Sequence, residues 1–342
     1  MPTDYSTVLP RAQKLCTLRS IAKNALATMH YHTLEKPLPP SEKITLFTCN
    51  IFPPNAVVWH HLVRKYFGDR VETFIFDCSG NLDPKLVPGA KVHKYFNAMH
   101  PTKIDVFLRK SACHRKCVWI CDDDIFPISD RALDVLPQEF AVPNTATVSL
   151  HPRNWWHFAI DGREYEASGS YCIALDRDIF VEKEHLNAQP ANGNVHPAHN
   201  GKGRRRYDTL DKANETLLMR GYRCAIVGKE SRDACMRGFD GTSGGALLLW
   251  YLGSKEKVLR FFHEPRDEQW GGNLLFGLLN SLLAIHEIQK MYAHITGAPY
   301  PLPALPEMAD LEQIRKRTEP HLAHGRSYGE VEEAGKSIAA SL

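Results

Sequence analysis

Three consecutive carboxylates, Asp122, Asp123 and Asp124, follow directly on the apolar run Val118 to Cys121. Adjacent carboxylates repel and raise one another's pKa. A divalent cation resolves that conflict, and an all-oxygen ligand set suits the hard ions Mg2+ and Mn2+. Such an ion keeps an open side for substrate phosphates. The competing reading is a solvated acidic turn that caps the next element. The apolar residues on both sides, VWIC before and Ile125, Phe126 and Pro127 after, weigh against it. A second cluster, Cys113, His114, Cys117 and Cys121, invites a zinc reading but lacks paired CxxC blocks. Its cysteines read as small buried hydrophobes.

The elements that must position the triplet are legible around it. Lys43 to Asn50 (KITLFTCN) predicts a strand, with a Pro53-Pro54-Asn55 loop and a helix to Phe67 that Asn55 can cap. Arg70 to Asp77 predicts a second strand with its turn at Cys78 to Asn81. Ile104 to Lys116 predicts a helix and Cys117 to Cys121 a third strand. Strand and helix in alternation at short spacing mean parallel βαβ units. Ligands of such sheets sit beyond the carboxyl ends of the strands. Three polar strand ends therefore point at one site: Thr48 to Asn50, Asp77 to Ser79, and the triplet. Further on, Thr145 to His151, Ser170 to Leu175, Arg223 to Val227 and Lys257 to Phe262 read as strands. Tyr207 to Gly221 and Gly272 to Thr296 read as helices. From Pro301 on, Pro, Glu, Arg and His dominate, and the last twenty or so residues read as a loosely attached tail.

Composition bounds the class. The chain has 342 residues, 43% of them hydrophobic, and a formal charge of +3. That fits an α/β protein of one large or two modest domains. The near-neutral balance argues against a nucleic-acid binder, which carries a domain-wide basic excess. Nine cysteines, an odd number, in a long chain predict free thiols and a reducing compartment. No basic start followed by an apolar core reads as a signal peptide. The most apolar late run, Asn273 to Ile285, is too short to span a bilayer; it reads as a core helix or a homodimer surface. Arg11 to His30 alternates Arg11, Lys14, Arg19 and Lys23 with apolar residues. It reads as an N-terminal helix packed on the domain or as a basic amphipathic helix on a membrane surface.

The block VWICDDDIFP resembles the DXD signature of nucleotide-sugar-dependent glycosyltransferases of the GT-A fold, family-2-like in character. Other pieces follow in the same order: ITLFTCNIFPPN, FIFDCSGN, ASGSYCIALDRDIF, YDTLDKANETLLMRGYRCAIV and VLRFFHEP. The resemblance spans roughly residues 43 to 276. It implies a mixed Rossmann-type sheet flanked by helices with a C-terminal helical extension. It implies four regions: an N-terminal basic arm over 1–42, a nucleotide-binding half over 43–127, a donor-sugar and acceptor half over 128–271, and a C-terminal helix and tail over 272–342.

By the same resemblance, Thr48, Asn50, Asp77, Asp122 and Asp123 would contact the nucleotide-sugar donor, with Asp77 on the base. Asp124, Asp122 and His263, the last after a late strand, would hold Mn2+ or Mg2+. Ser168, Gly169 and Ser170 would let donor and acceptor approach. Asp208, heading a helix, would be the carboxylate base, with Asp267, Asp211 and Asp240 in reserve. Glu268-Gln269-Trp270 lacks the Arg of processive members. The implied activity is hexosyl transfer from a nucleoside-diphosphate-sugar to a saccharide acceptor, in surface polysaccharide or glycoconjugate synthesis. The implied location is cytoplasmic, at the inner face of a membrane. Two other functions compete: a degenerate nucleotide-sugar or glycan binder, and a metal-dependent phosphoryl or nucleotidyl transferase. The second would show a Gly-rich loop after the first strand, where Asn-Ile-Phe-Pro-Pro stands instead. The loop Gly201 to Arg206 (GKGRRR) and the run Trp155, Trp156, His157 are further candidates for substrate contact.

Overall fold

A computed structural model describes residues 5–33, 43–110, 117–190, 208–239 and 241–342, without the side chains of 5 and 154–156. It opens with the long helix α1 (Tyr5–Thr33). The first half then runs β1 (Ile44–Asn50), α2 (Pro53–Tyr66), β2 (Val71–Asp77), β3 (Lys91–Lys94), α3 (His100–Lys110) and β4 (Val118–Cys121). Pro53 and Pro54 occupy the first helical positions of α2, where proline's fixed φ helps and its missing N–H costs nothing. Phe52, not Asn55, is the cap. Asn55 lies inside the first turn and its Nδ2 donates to Thr242 Oγ1 at 2.6 Å.

The second half runs β5 (Ile125–Pro127), α4 (Ala132–Ala141), β6 (Thr145–Ser149), the hairpin β7 (Arg153–Ile160) and β8 (Arg163–Ala167), and β9 (Cys172–Leu175). Then come α5 (Asp211–Met219), β10 (Arg223–Ile226), α6 (Lys229–Cys235), β11 (Met236–Gly238), α7 (Thr242–Leu252) and α8 (Lys255–His263). Helices α9 (Asn273–Thr296), α10 (Met308–Thr318) and α11 (Gly329–Ala340) end the chain.

Seven strands form one mixed sheet in the order β10-β6-β9-β4-β1-β2-β3. β1 runs parallel to β2 and β4, as the alternating pattern predicts. β9 runs antiparallel to both neighbours, β4 and β6. The strands are covered on both faces, which is why they read as near-continuous apolar runs. Alternation sorts their side chains. Leu46, Ile75, Trp119 and Val148 join the core under α2 and α9. Phe47, Phe74, Phe76 and Ile120 join Phe107 and Ile104 of α3 and Tyr31 of α1 on the other side.

Two further expectations fail. Lys257 to Phe262 is helix α8, not a strand. Val258, Phe261 and Phe262 are its buried residues, at a spacing of three and four, which is helical and not strand-like. The C-terminal residues are not a loose tail. α10 and α11 pack on α9, and Leu311, Ile314, Tyr328 and Ile338 are fully buried. Lys65 Nζ and Tyr66 Oη of α2 donate to Ser341 O at 2.8 and 3.1 Å. The apolar residues of α9 are accordingly buried within the chain rather than offered to a second copy. No helix among the described residues is long and apolar enough to cross a membrane.

Candidate functional site

The carboxyl ends of β1 and β4 meet where the strand order reverses, with β2 and β3 on one side and β9 on the other. A crevice opens outside such a point in open α/β sheets. Asn50 ends β1 and the triplet follows β4, so the two polar ends are brought together. Asn50 Nδ2 donates to Asp123 Oδ2 at 2.5 Å and to Phe52 O at 2.7 Å. Burial, followed by the charge of Asp124, pushes the Asp123 carboxyl up to about 7, with Asn50 opposing.

Asp124 has a different anchor. Its Oδ2 accepts from both the backbone N–H and the hydroxyl of Thr242 at 3.1 Å. Thr242 opens α7, so the carboxylate sits at the positive end of a helix dipole. The small ribbon of β5 and β11 brings these partners together, pairing Gly238 with Ile125 next to Asp124. Asp122 is the most exposed of the three, and its Oδ1 stands 3.6 Å from His100 Nε2. Burial and then Asp124 and Asp123 hold its pKa well above the usual carboxylate range, opposed by the nearby Lys103. Burial and Lys103 press the His100 imidazole down to about 3, so it is neutral beside the triplet. Lys103 is itself buried and donates to Asn97 Oδ1 at 3.2 Å.

Asp122 and Asp124 line one cavity of about 630 Å³. Its other walls include His151, Arg153, Tyr171, Arg232 and Arg237. Arg153, the first residue of β7, is 1% exposed. Its Nη1 donates to Asp211 Oδ2 at 2.5 Å, its Nη2 lies 3.4 Å from Asp208 Oδ2, and its guanidinium lies 5.3 Å from the Tyr171 ring centre. The wall between β6 and β9 turns at Gly169, whose φ is +69°; a Cβ there would stand 2.8 Å from His151 O. The neighbouring Ser168 and Ser170 are buried, and Ser149 Oγ donates to Ser168 O.

The other predicted residues are placed as follows. Asp208 precedes its helix rather than heading it; α5 begins at Asp211. The Asp208 side chain is 54% exposed and its backbone N–H donates to Asp211 Oδ2 at 2.7 Å. Asp211 is fully buried and pushed up to about 6 by burial against the opposing Arg153, so it orders the turn. Asp77 is also fully buried. Its carboxylate accepts from Ser79 N, Ser79 Oγ, Gly80 N and Leu82 N. It builds the turn after β2 and lies on the wall of neither this cavity nor the smaller one by that turn. Thr48 is 2% exposed and its hydroxyl has no partner among the described residues. His263 ends α8, exposed, and is not on the cavity wall. Asp267 is exposed and pairs with His321 at 3.5 Å. Cys113, His114, the 201–206 loop and Asp240 lie outside the described residues, as do the side chains of Trp155 and Trp156. The described cysteines are free thiols.

Sequence reasoning missed His100, Lys103, Arg153, Arg232 and Arg237. The pair in RDACMRG, five residues apart, carried the only local signal; the others become neighbours of the triplet only through the fold. Among the described residues no three His, Cys, Asp or Glu side chains converge as a cage for a metal. Two carboxylates on one cavity wall still suit a hard divalent ion that completes its shell with substrate phosphates and water.

No protein-family model matches the chain, and no curated protein matches it. Among solved structures it is similar to the mannosyltransferase PcManGT from Pyrobaculum calidifontis, in complex with GDP-Man and Mn2+. There the identity is 14%, the TM-score 0.40, and 97% of each chain is covered. It is also similar to S. aureus TarS 1-349, at 11% identity and a TM-score of 0.37, over 87% of this chain and 88% of that one. Likenesses this loose assign neither metal, donor nor acceptor to this chain.

Proposed function

We propose that this chain is a metal-dependent glycosyltransferase that moves a sugar from a nucleoside-diphosphate-sugar to a saccharide or other hydroxyl acceptor. One observation carries the reading. Asp122 and Asp124 share a cavity of about 630 Å³ with Arg153, Arg232 and Arg237, at the carboxyl ends of β1 and β4. Groups able to hold a cation and groups able to hold an anion face the same space.

On this reading Asp122 and Asp124 would hold Mn2+ or Mg2+, which when bound supplies Lewis-acid stabilisation of the departing diphosphate. Arg232 and Arg237 place fixed positive charge along the same wall. Thr48 and Asn50, both buried and off the cavity wall, would shape the nucleoside's side of the site rather than touch it, and Asp123 holds the Asn50 amide in place. Asp208 takes the proton of the acceptor hydroxyl as the new bond forms at the anomeric carbon and the bond to the diphosphate breaks. Arg153, which lines the cavity, would hold the Asp208 carboxylate beside it, 3.4 Å from its Nη2. Asp77 shapes the turn near the base.

One observation favours a second reading, a nucleotide-sugar binder without turnover. Asp124 is engaged by the start of α7, and no third ligating side chain joins it among the described residues. Incubation with Mn2+ and a panel of nucleotide-sugars separates the two. Release of nucleoside diphosphate supports transfer; tight binding without release supports the binder. Release of pyrophosphate or monophosphate overturns both in favour of phosphoryl or nucleotidyl transfer. Asp208→Asn is expected to slow transfer about 10²- to 10⁴-fold with donor affinity unchanged. A loss of donor affinity instead would move Asp208 into the donor pocket.

A further inference from the structure

Helix α1 buries one face against the domain and carries an apolar stripe on the opposite one. The inner face carries Val8, Ala12, Ser20, Asn24, Thr28 and Tyr31, all buried. It is fastened to the rim of the sheet by polar bonds. Ser20 Oγ donates to Cys78 O at 2.8 Å, Asn24 Nδ2 donates to Tyr95 O at 2.9 Å, and Phe96 N donates to Thr28 Oγ1 at 3.0 Å. These bonds set which side of the helix faces out.

The outer face carries Leu15, Leu18, Ala22, Leu26 and Met29. Their spacing of three and four residues keeps them in one stripe along the helix. Such a stripe normally marks the side that packs into a core. Here Leu26 is 82% exposed, Met29 60% and Leu18 55%. Contiguous exposed apolar surface on an ordered element marks an interaction site. Basic residues border it: Lys14 on one flank, Arg19 and Lys23 on the other, and Arg11 at its amino-terminal end. Tyr5–Thr33 contains no acidic residue at all. Arg19 lies 5.4 Å from the ring centre of Trp250 of α7, which is itself partly exposed. An aromatic ring at the margin of such a stripe suits the level of lipid headgroups.

We propose that the outer face of α1 docks this protein on an anionic membrane surface. The stripe from Leu15 to Met29 enters the boundary between headgroups and acyl chains, and Arg11, Lys14, Arg19 and Lys23 meet the lipid phosphates. Charge complementarity selects this partner: a cationic, acid-free border around apolar residues matches an anionic lipid surface. The proposal stands independently of the catalytic reading, because it uses only the outward side of α1.

Co-sedimentation of the full chain with vesicles tests it. Binding is expected to vesicles of phosphatidylglycerol mixed with phosphatidylcholine, not to phosphatidylcholine alone, and to weaken as added salt screens the charges. Lys14→Gln is expected to lower the partition coefficient about fivefold, the effect of one basic residue near such a surface. The double variant Leu18→Glu, Leu26→Glu is expected to abolish binding with an unchanged circular dichroism spectrum, since both side chains point to solvent. Equal affinity for both vesicle types, no binding to either, or full binding by the double variant would overturn the proposal. So would a concentration-dependent dimer that Leu26→Glu disperses, because the stripe would then belong to a second copy of the chain.

Discussion

Asp124 illustrates how one carboxylate answers to two demands. Its hydrogen bonds from Thr242 N and Thr242 Oγ1 anchor α7, and on the proposed reading its place on the cavity wall offers charge to a cation. Asp124→Asn separates them. The amide oxygen can still accept from Thr242, so only the charge–dipole contribution is lost, about 0.3–1 kcal/mol of stability. Metal-dependent donor turnover is expected to fall by about 10²-fold or more, the scale of several kcal/mol of lost charge stabilisation. Steady-state kinetics beside a thermal melt read both; near-wild-type turnover would unseat Asp124 as a cation ligand. The triplet itself was plain in the sequence because three adjacent acids after an apolar strand are a local pattern. Its partners were not. Asn50 and Thr242 reach it from 73 and 118 residues away in the chain, and only the closed sheet and the β5–β11 ribbon make them neighbours.

At the scale of elements, α2 holds a titrating group that has nothing to do with the cavity. His60 is 2% exposed. Burial, then the charges of Arg64 and His61, lower its pKa from 6.5 to about 4. The unfolded chain therefore takes up this proton first as pH falls. The native state keeps the full advantage above pH 6.5 and loses it between 6.5 and about 4. The loss approaches about 3 kcal/mol. His60→Leu is expected to flatten that acid limb in a plot of urea midpoint against pH, and an unchanged limb would contradict the assignment. Elements were read well where period and punctuation agreed. β1, β2, β4, β6, β9 and β10 all lie within a residue or two of the expected runs, because strands covered on both faces read as short, mostly apolar or β-branched runs. α8 was misread for the converse reason: its short apolar run hid a spacing of three and four. The β7–β8 hairpin was missed although Asp161 and Gly162, at φ of 49° and 74°, supply the turn that such a pair favours.

Across the whole molecule, the C-terminal helices are part of the fold. Removing α11 would delete the buried Val331 and Ile338 together with Tyr328, uncover the α9 surface they pack on, and remove the bonds from Lys65 and Tyr66 to Ser341. At about 1.5–3 kcal/mol for each large apolar side chain, truncation after residue 325 is expected to cost about 5 kcal/mol or more, a large share of the stability of an ordinary domain. A melting temperature within a few degrees of the full chain's would contradict this packing. The polar content that suggested a tail belongs to the outer faces of α10 and α11. A short amphipathic helix needs only three or four buried residues, and these carry no signal until α9 supplies the surface they cover.

By itself the sequence determined the parallel units, the acidic triplet at the end of a buried strand, and the basic, acid-free character of α1. Each is a property of residues close together in the chain: alternation, adjacency and composition are local. Only the tertiary structure decided which carboxylate faces the cavity, that Arg153, Arg232 and Arg237 stand with it, that Asp211 is buried while Asp208 is open, and which side of α1 is left to solvent. Those outcomes depend on chain segments far apart meeting around one core, where burial and electrostatic neighbours, rather than residue type, set what a side chain can do.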